Sequence, residues 1–238
     1  MLSTPQNSAH TTSLEARLGS VRQRMAEAAA AAGRDVHCVT LLAVTKGQDV
    51  AAIRAAMALG LTQFGENYVD EALPKIQALQ GLEASWHFIG RVQGNKTRQV
   101  ASCFSWVHSV DRLRVAERLS AQRSPHLPPL NVCVQVHITP DPAKGGVLPK
   151  DTLPLLRAIA ALPQLRLRGL MCMLPYEMPA AAQHQSFAAL RVLLEQGRNA
   201  GLALDTLSMG MSADMDAAIA EGATIVRVGT ALFGARAP

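Results

Sequence analysis

Apolar residues in this chain gather into eight short runs, separated by segments of helical period, and that alternation predicts the architecture. The first segment is purely helical. Leu14, Leu18, Val21, Met25 and Ala29 recur at spacings of three and four between Ser13 and Ala32, and Gly33 stops the run. The predicted strands then follow at 39–45, 63–67, 86–90, 105–110, 131–138, 165–173, 206–210 and 224–229. Predicted helices lie between them, near 50–59, 68–79, from Asn95, after Asp111, and at 151–161, 180–200 and 214–220. Asp49 and Asp111 read as helix N-caps, Asn67 is a third plausible cap, and Gly60 ends a helix.

Short apolar strands with helical crossovers imply a parallel sheet. Eight of them in 238 residues imply closure into a single (β/α)8 TIM-type barrel of the α/β class, with one extra N-terminal helix. A doubly wound open sheet is the alternative. Residues 1–12 read as a flexible tail and 13–238 as one barrel domain, with no solenoid repeat or linker.

Composition narrows the partners. The chain is 49% hydrophobic but only 4% aromatic, so Ala, Leu, Val and Ile must fill the core. Its net charge of +5 is dispersed, which argues against a nucleic-acid stripe and for a mildly basic surface facing anionic metabolites. Four scattered cysteines without a C-x-x-C pair read as small buried hydrophobes. No His spacing points to a metal. The start carries no apolar secretory segment and no run is long enough to span a bilayer, so a cytoplasmic, membrane-free protein is expected.

Barrel chemistry sits at the C-terminal strand ends, which makes Lys46 the leading candidate. It finishes the run Leu41-Leu42-Ala43-Val44-Thr45. Partial desolvation there would disfavour the ammonium form and free the amine to attack a carbonyl; the plainer reading is a lysine snorkelling from the rim. The seventh strand ends in Ser208-Met209-Gly210 and the eighth in Arg227-Val228-Gly229-Thr230. Small and hydroxyl-bearing residues after strands seven and eight suit a phosphate, although they also suit ordinary turns. Arg227 interrupts an apolar run and needs an acceptor, either a core partner or a ligand's ring nitrogen or phosphate. Lys144, between Ala143 and Gly145, is a second lysine near the rim. His87 and His137 read as satisfied strand histidines. A rim lysine plus a phosphate site is equally the pattern of a Schiff-base aldolase.

These residues resemble the pyridoxal phosphate (PLP) homeostasis proteins, the YggS-type PLP-binding family. The segments are LLAVTK (41–46), FGENYVDEALPKI (64–76), WHFIGRVQGNKTR (86–98), HSVDR (108–112), LRLRGLMCM (165–173), LSMGMSADMDAAI (207–219) and VRVGTALFGAR (226–236). The resemblance implies a fold type III PLP barrel related to the N-terminal domain of alanine racemase. It implies a Schiff base on Lys46, with Asn67 near the cofactor and Arg227 facing the pyridine nitrogen. Ser208, Gly229 and Thr230 would bind phosphate, Met209 and Gly210 would lie alongside, and Lys144 would relay PLP. Arg91, Gly94, the run Gln135–Thr139, Pro140 and Pro142 depart from the family pattern.

The expected function is a carrier that binds PLP and delivers it to apoenzymes, without robust catalysis of its own. A racemase needs proton transfer on both faces of its substrate, and only Tyr68 and Tyr176 are present as tyrosines. The chain ends just after the eighth strand, where alanine racemases continue into a further domain. A small monomeric PLP-dependent amino-acid racemase, with Lys46 opposed by Tyr68, His137 or Lys144, is the competing reading. A monomer in transient contact with apoenzymes is expected.

Overall fold

In the computed structural model, residues 13–139 and 145–234 are described. Eight parallel strands close into a barrel in sequence order: β1 (Thr40–Val44), β2 (Gln63–Glu66), β3 (Ser85–Phe88), β4 (Trp106–Val110), β5 (Leu130–Gln135), β6 (Leu165–Met171), β7 (Thr206–Ser208) and β8 (Ile225–Val228). Closure is made by β1 against β8, with Thr40 opposite Ile225 and Ala43 opposite Val228. The barrel expected from the alternation of runs is therefore present, and the open-sheet alternative is excluded.

The connecting helices are α2 (Val50–Ala58), α3 (Val69–Ala78), α4 (Thr97–Cys103), α5 (Leu113–Gln122), α6 (Pro149–Ala160), α7 (Ala180–Asn199) and α8 (Met215–Ala220). The extra helix α1 (Leu14–Ala31) packs on α8 and on a last turn, α9 (Thr230–Phe233), which the apolar pattern did not predict. Arginines fasten it there. Arg24 Nη1 donates to Ser212 O at 2.6 Å and its Nε pairs with Asp216 at 2.7 Å, while Arg17 Nε donates to Leu232 O at 2.6 Å. The helix thus braces the loops that follow β7 and β8.

Two capping expectations fail. Asp49 does cap α2, accepting from the Ala52 N–H at 2.7 Å. Asp111 does not cap α5, because that helix starts later, with Arg112 at the cap and no side-chain bond. Asn67 is likewise displaced from the cap of α3 by Tyr68. A 3-10 turn over Gly94–Lys96 precedes α4.

Most of the core lies between strands and helices, where Phe64, Phe88, Phe104 and Phe187 are almost fully buried with Ala, Leu, Val and Ile around them. A separate small cluster of Leu42, Val44, Ile89 and Ile225 lies on the opposite strand faces, inside the barrel. Four aliphatics do not fill such an interior. His87, His108, Ser208 and Arg227, each at most 4% exposed, occupy much of the rest. No helix among the described residues is long and apolar enough to cross a membrane.

Gly90 shows how closely the rim is packed. A Cβ there would lie 1.9 Å from the carbonyl oxygen of Asn67 and 2.7 Å from its carbonyl carbon. Backbone on backbone leaves no soft partner to move. Gly90→Ala should lower the free energy of unfolding by about 1–3 kcal/mol, measured by urea denaturation, as overpacking does elsewhere. An unchanged midpoint would show that the β2 loop yields freely.

Candidate functional site

The C-terminal strand ends enclose a cavity of about 240 Å³. Val44 and Lys46 reach it from β1, Asn67 from the loop after β2, and Ile89 from the end of β3. Met173, Pro175 and Tyr176 wall it after β6, and Met211, Ser212, Ala213 and Asp214 after β7. Arg227, Gly229 and Thr230 complete it from β8.

Of the residues singled out from sequence, Lys46, Asn67, Arg227, Gly229 and Thr230 line this one cavity. Ser208, Met209 and Gly210 are not among its walls. The Ser208 side chain turns into the barrel below, Met209 packs into the core outside the sheet, and Gly210 is a buried turn residue. Gly210 has φ of +93°, and a Cβ there would lie 2.5 Å from that of Ala218. Both backbone and space therefore require glycine. Its carbonyl accepts the Arg227 N–H at 2.9 Å, so it shapes the site from behind. Lys144 lies outside the described residues. Tyr68 is 62% exposed and lies in a neighbouring groove, while Tyr176, 81% exposed, stands at the cavity mouth.

Lys46 is half-buried, and its flanking backbone is clamped by a buried ionic cluster. Lys75 Nζ bonds Thr45 O at 2.8 Å, Glu66 Oε1 at 2.8 Å and Glu71 Oε1 at 2.6 Å. Thr45 Oγ1 donates to Glu66 Oε1 at 2.7 Å, and the Gly47 N–H donates to Glu71 at 2.5 Å. The residues on both sides of Lys46 are thus tied to β2 and α3. Sequence reasoning missed Lys75, which looks like any helical lysine. The signal was its place after Glu66 and Glu71 at spacings of nine and four, facing the strand. Burial raises the Glu66 pKa while the bonds from Lys75 and Thr45 oppose that rise.

Asn67 Oδ1 is buried with no hydrogen-bond partner among the described residues. Arg227 is more telling. Its Nη1 donates to Ser208 O at 2.7 Å and Ser208 Oγ at 2.9 Å, and its Nη2 to Cys172 O at 2.8 Å. Those bonds use three of a guanidinium's five donors, and the others have no acceptor among the described residues. At the walls of one cavity, spare guanidinium donors call for an anionic or acceptor group on a ligand, and an unpaired amide oxygen calls for a donor on it. Asp214 is the acid of the site. It accepts the Met211 N–H at 2.5 Å, and burial raises its pKa.

The histidines below are neutral. Burial holds His87 at about 3, and burial followed by the charges of His87 and Arg227 holds His108 well below its usual value. Cys133 and Cys172 are buried thiols pushed up to about 12. No group of three or more His, Cys, Asp or Glu among the described residues is placed to hold a metal ion.

Two tests follow from this chemistry. Lys75→Met leaves Glu66, fully buried, without its cation, and should cost about 3–5 kcal/mol of stability by urea denaturation. A loss below about 1 kcal/mol would mean that the cluster is not what holds the Lys46 segment. The second concerns pH. Histidines with depressed folded pKa values contribute in full above about pH 6.5, and the contribution is lost as pH falls from there toward about 3. The melting midpoint should therefore decline between pH 6.5 and 4.5, and His87→Gln should flatten that decline. Equal slopes in both proteins would contradict the assignment.

Comparison with known proteins adds the context. Residues 17–237 match the family model for the alanine racemase N-terminal domain. A pyridoxal phosphate homeostasis protein from Pseudomonas aeruginosa is 56% identical over 219 residues, covering 92% of this chain and 94% of the relative. One from Escherichia coli is 46% identical over 222 residues, covering 92% and 95%. Among solved structures, PipY of Synechococcus elongatus with PLP bound is similar at a TM-score of 0.83 and 38% identity, over 93% of this chain and all of that one (100%). Alanine racemase from Corynebacterium glutamicum shares the fold at a TM-score of 0.66 and 15% identity, over 93% of this chain and 62% of the enzyme.

Proposed function

The chain belongs to the pyridoxal phosphate homeostasis family, built on the alanine racemase N-terminal domain, and on that premise we propose that it binds PLP and serves in PLP homeostasis. In this reading Lys46 holds the cofactor as a Schiff base, and the protein passes it to PLP-dependent apoenzymes through transient contact. It works as a monomer and without robust catalysis of its own.

The observation that carries the reading is the convergence of Lys46 and the spare donors of Arg227 on one cavity. The residues present suit the group. When bound, PLP supplies an aldehyde that condenses reversibly with amines. Lys46 offers an amine on a segment clamped by Lys75 and Glu71, half-buried and therefore shielded from competing solutes. Arg227 offers donors for an acceptor such as a ring nitrogen. Asn67 offers an amide whose oxygen lacks a partner. Ser212, Gly229 and Thr230 offer hydroxyls and backbone N–H groups at the same rim for a phosphate, with Ser208, Met209 and Gly210 supporting from behind.

Arginine at the ring nitrogen also bears on the absence of robust catalysis. A guanidinium does not give up its proton, so it leaves the nitrogen unprotonated and the ring a weaker electron sink than a carboxylic acid would. A weaker electron sink favours holding the aldehyde over stabilising a carbanion. The PLP-bound state of a 38% identical relative and the names of the curated relatives support the same reading.

The test is the visible absorption of protein incubated with PLP, before and after borohydride. Wild type should show a Schiff-base band that reduction converts to a stable adduct, and Lys46→Ala should lose or displace it. No band in wild type would overturn the PLP reading. A reducible band that persists unchanged in Lys46→Ala would move the attachment to another lysine.

A further inference from the structure

The buried polar side chains of the barrel form one column leading to the cavity. Gln63 Oε1 lies 2.9 Å from His87 Nε2, and His87 Nδ1 lies 2.9 Å from His108 Nε2. His108 Nδ1 lies 2.7 Å from Ser208 Oγ, which accepts from Arg227 Nη1 at 2.9 Å. Gln63 starts β2 at the opposite end of the barrel, so the column spans the interior.

Its two ends fix the order of the protons between them. A guanidinium only donates, and an amide oxygen only accepts. Arg227 donates to Ser208, Ser208 donates to His108 Nδ1, the Nε2–H of His108 donates to His87 Nδ1, and the Nε2–H of His87 donates to Gln63. Every link is then satisfied. In the reverse order Ser208 receives two hydrogens and its own finds no acceptor among the described residues, while an unprotonated His87 Nε2 faces the Gln63 amide oxygen at 2.9 Å with only the Ser85 hydroxyl, at 3.3 Å, to accept from. Both histidines are neutral, so the column is a chain of aligned dipoles whose acceptor ends point at Arg227. No ion pair joins Arg227 to a carboxylate among the described residues, and its fixed acceptors are Ser208 O, Ser208 Oγ and Cys172 O.

We propose that Ser208 and His108 are positioning residues that hold the Arg227 guanidinium charged and aimed without a carboxylate, leaving its charge available to the ligand in the cavity. A carboxylate would orient the same group but cancel much of that charge. The ligand class is an anionic aromatic heterocycle that presents a ring acceptor, and the proposal rests on the reading of the cavity as a PLP site.

The experiment has two arms on the full-length protein. Long-range ¹H–¹⁵N spectra of ¹⁵N-histidine-labelled, PLP-free protein should show His87 and His108 neutral and protonated on Nε2. PLP titrations should then show Ser208→Ala binding about tenfold more weakly than wild type, the loss of one hydrogen bond to a charged group. Ser85→Ala removes a hydroxyl 3.3 Å from His87 at the far end of the column and should leave the affinity unchanged, which a merely structural effect would not. His108→Gln can still accept from Ser208 and should bind more tightly than His108→Leu. A His108 protonated on Nδ1, or wild-type affinity in Ser208→Ala, overturns the proposal. Wild-type protein with the expected proton order but no uptake of PLP overturns the functional reading instead, because the spectra are taken without the ligand.

Discussion

A guanidinium buried inside a β-barrel, bonded directly to no carboxylate among the described residues, governs the rest of this structure. Desolvating a cation is costly unless acceptors replace the lost water. Arg227 meets that requirement with two backbone carbonyls and one hydroxyl, and the hydroxyl is itself backed by two imidazoles and an amide. The barrel interior is therefore a polar column beside four aliphatics, not stacked layers of branched side chains. The apolar burial that drives folding lies outside it, between the strands and their helices.

The two lysines near β1 divide the work by environment. Lys75 is sunk between Glu66, Glu71 and the Thr45 carbonyl, where its charge is satisfied and its amine occupied. Lys46, one residue beyond Thr45, reaches the cavity on a segment that this cluster keeps in place. A fixed amine on one wall and a fixed cation on another suit a small aldehyde with a polar ring. Helix α1 adds rigidity from outside, since Arg24 and Arg17 hold the carbonyls of Ser212 and Leu232.

Much of this was legible in the residue order. Eight apolar runs alternating with helical segments are the barrel, and two of the charged residues that break or end such runs, Lys46 and Arg227, reach its cavity. What stayed hidden depends on parity and depth. Side chains alternate along a strand, so a shift of one residue exchanges interior for exterior. That is why Ser208 points beneath the cavity and Met209 away from it, while Met211 and Ser212 form the wall. His87 was readable as a satisfied strand histidine, but its partner His108 lies 21 residues away and is identified only by closure of the sheet. The caps at Asp111 and Asn67 were misplaced because helix starts slide by a residue or two without changing the periodicity.

The most direct test of the account is the ¹⁵N chemical shift of the pyridine nitrogen in ring-labelled PLP bound to the protein. A permanently charged Arg227 that only donates predicts an unprotonated, hydrogen-bonded ring nitrogen, which moves toward the free-base shift when Arg227 is replaced by Leu. A protonated pyridinium in the wild-type protein would contradict the account, because on the proposed reading a guanidinium and not an acid meets the ring nitrogen.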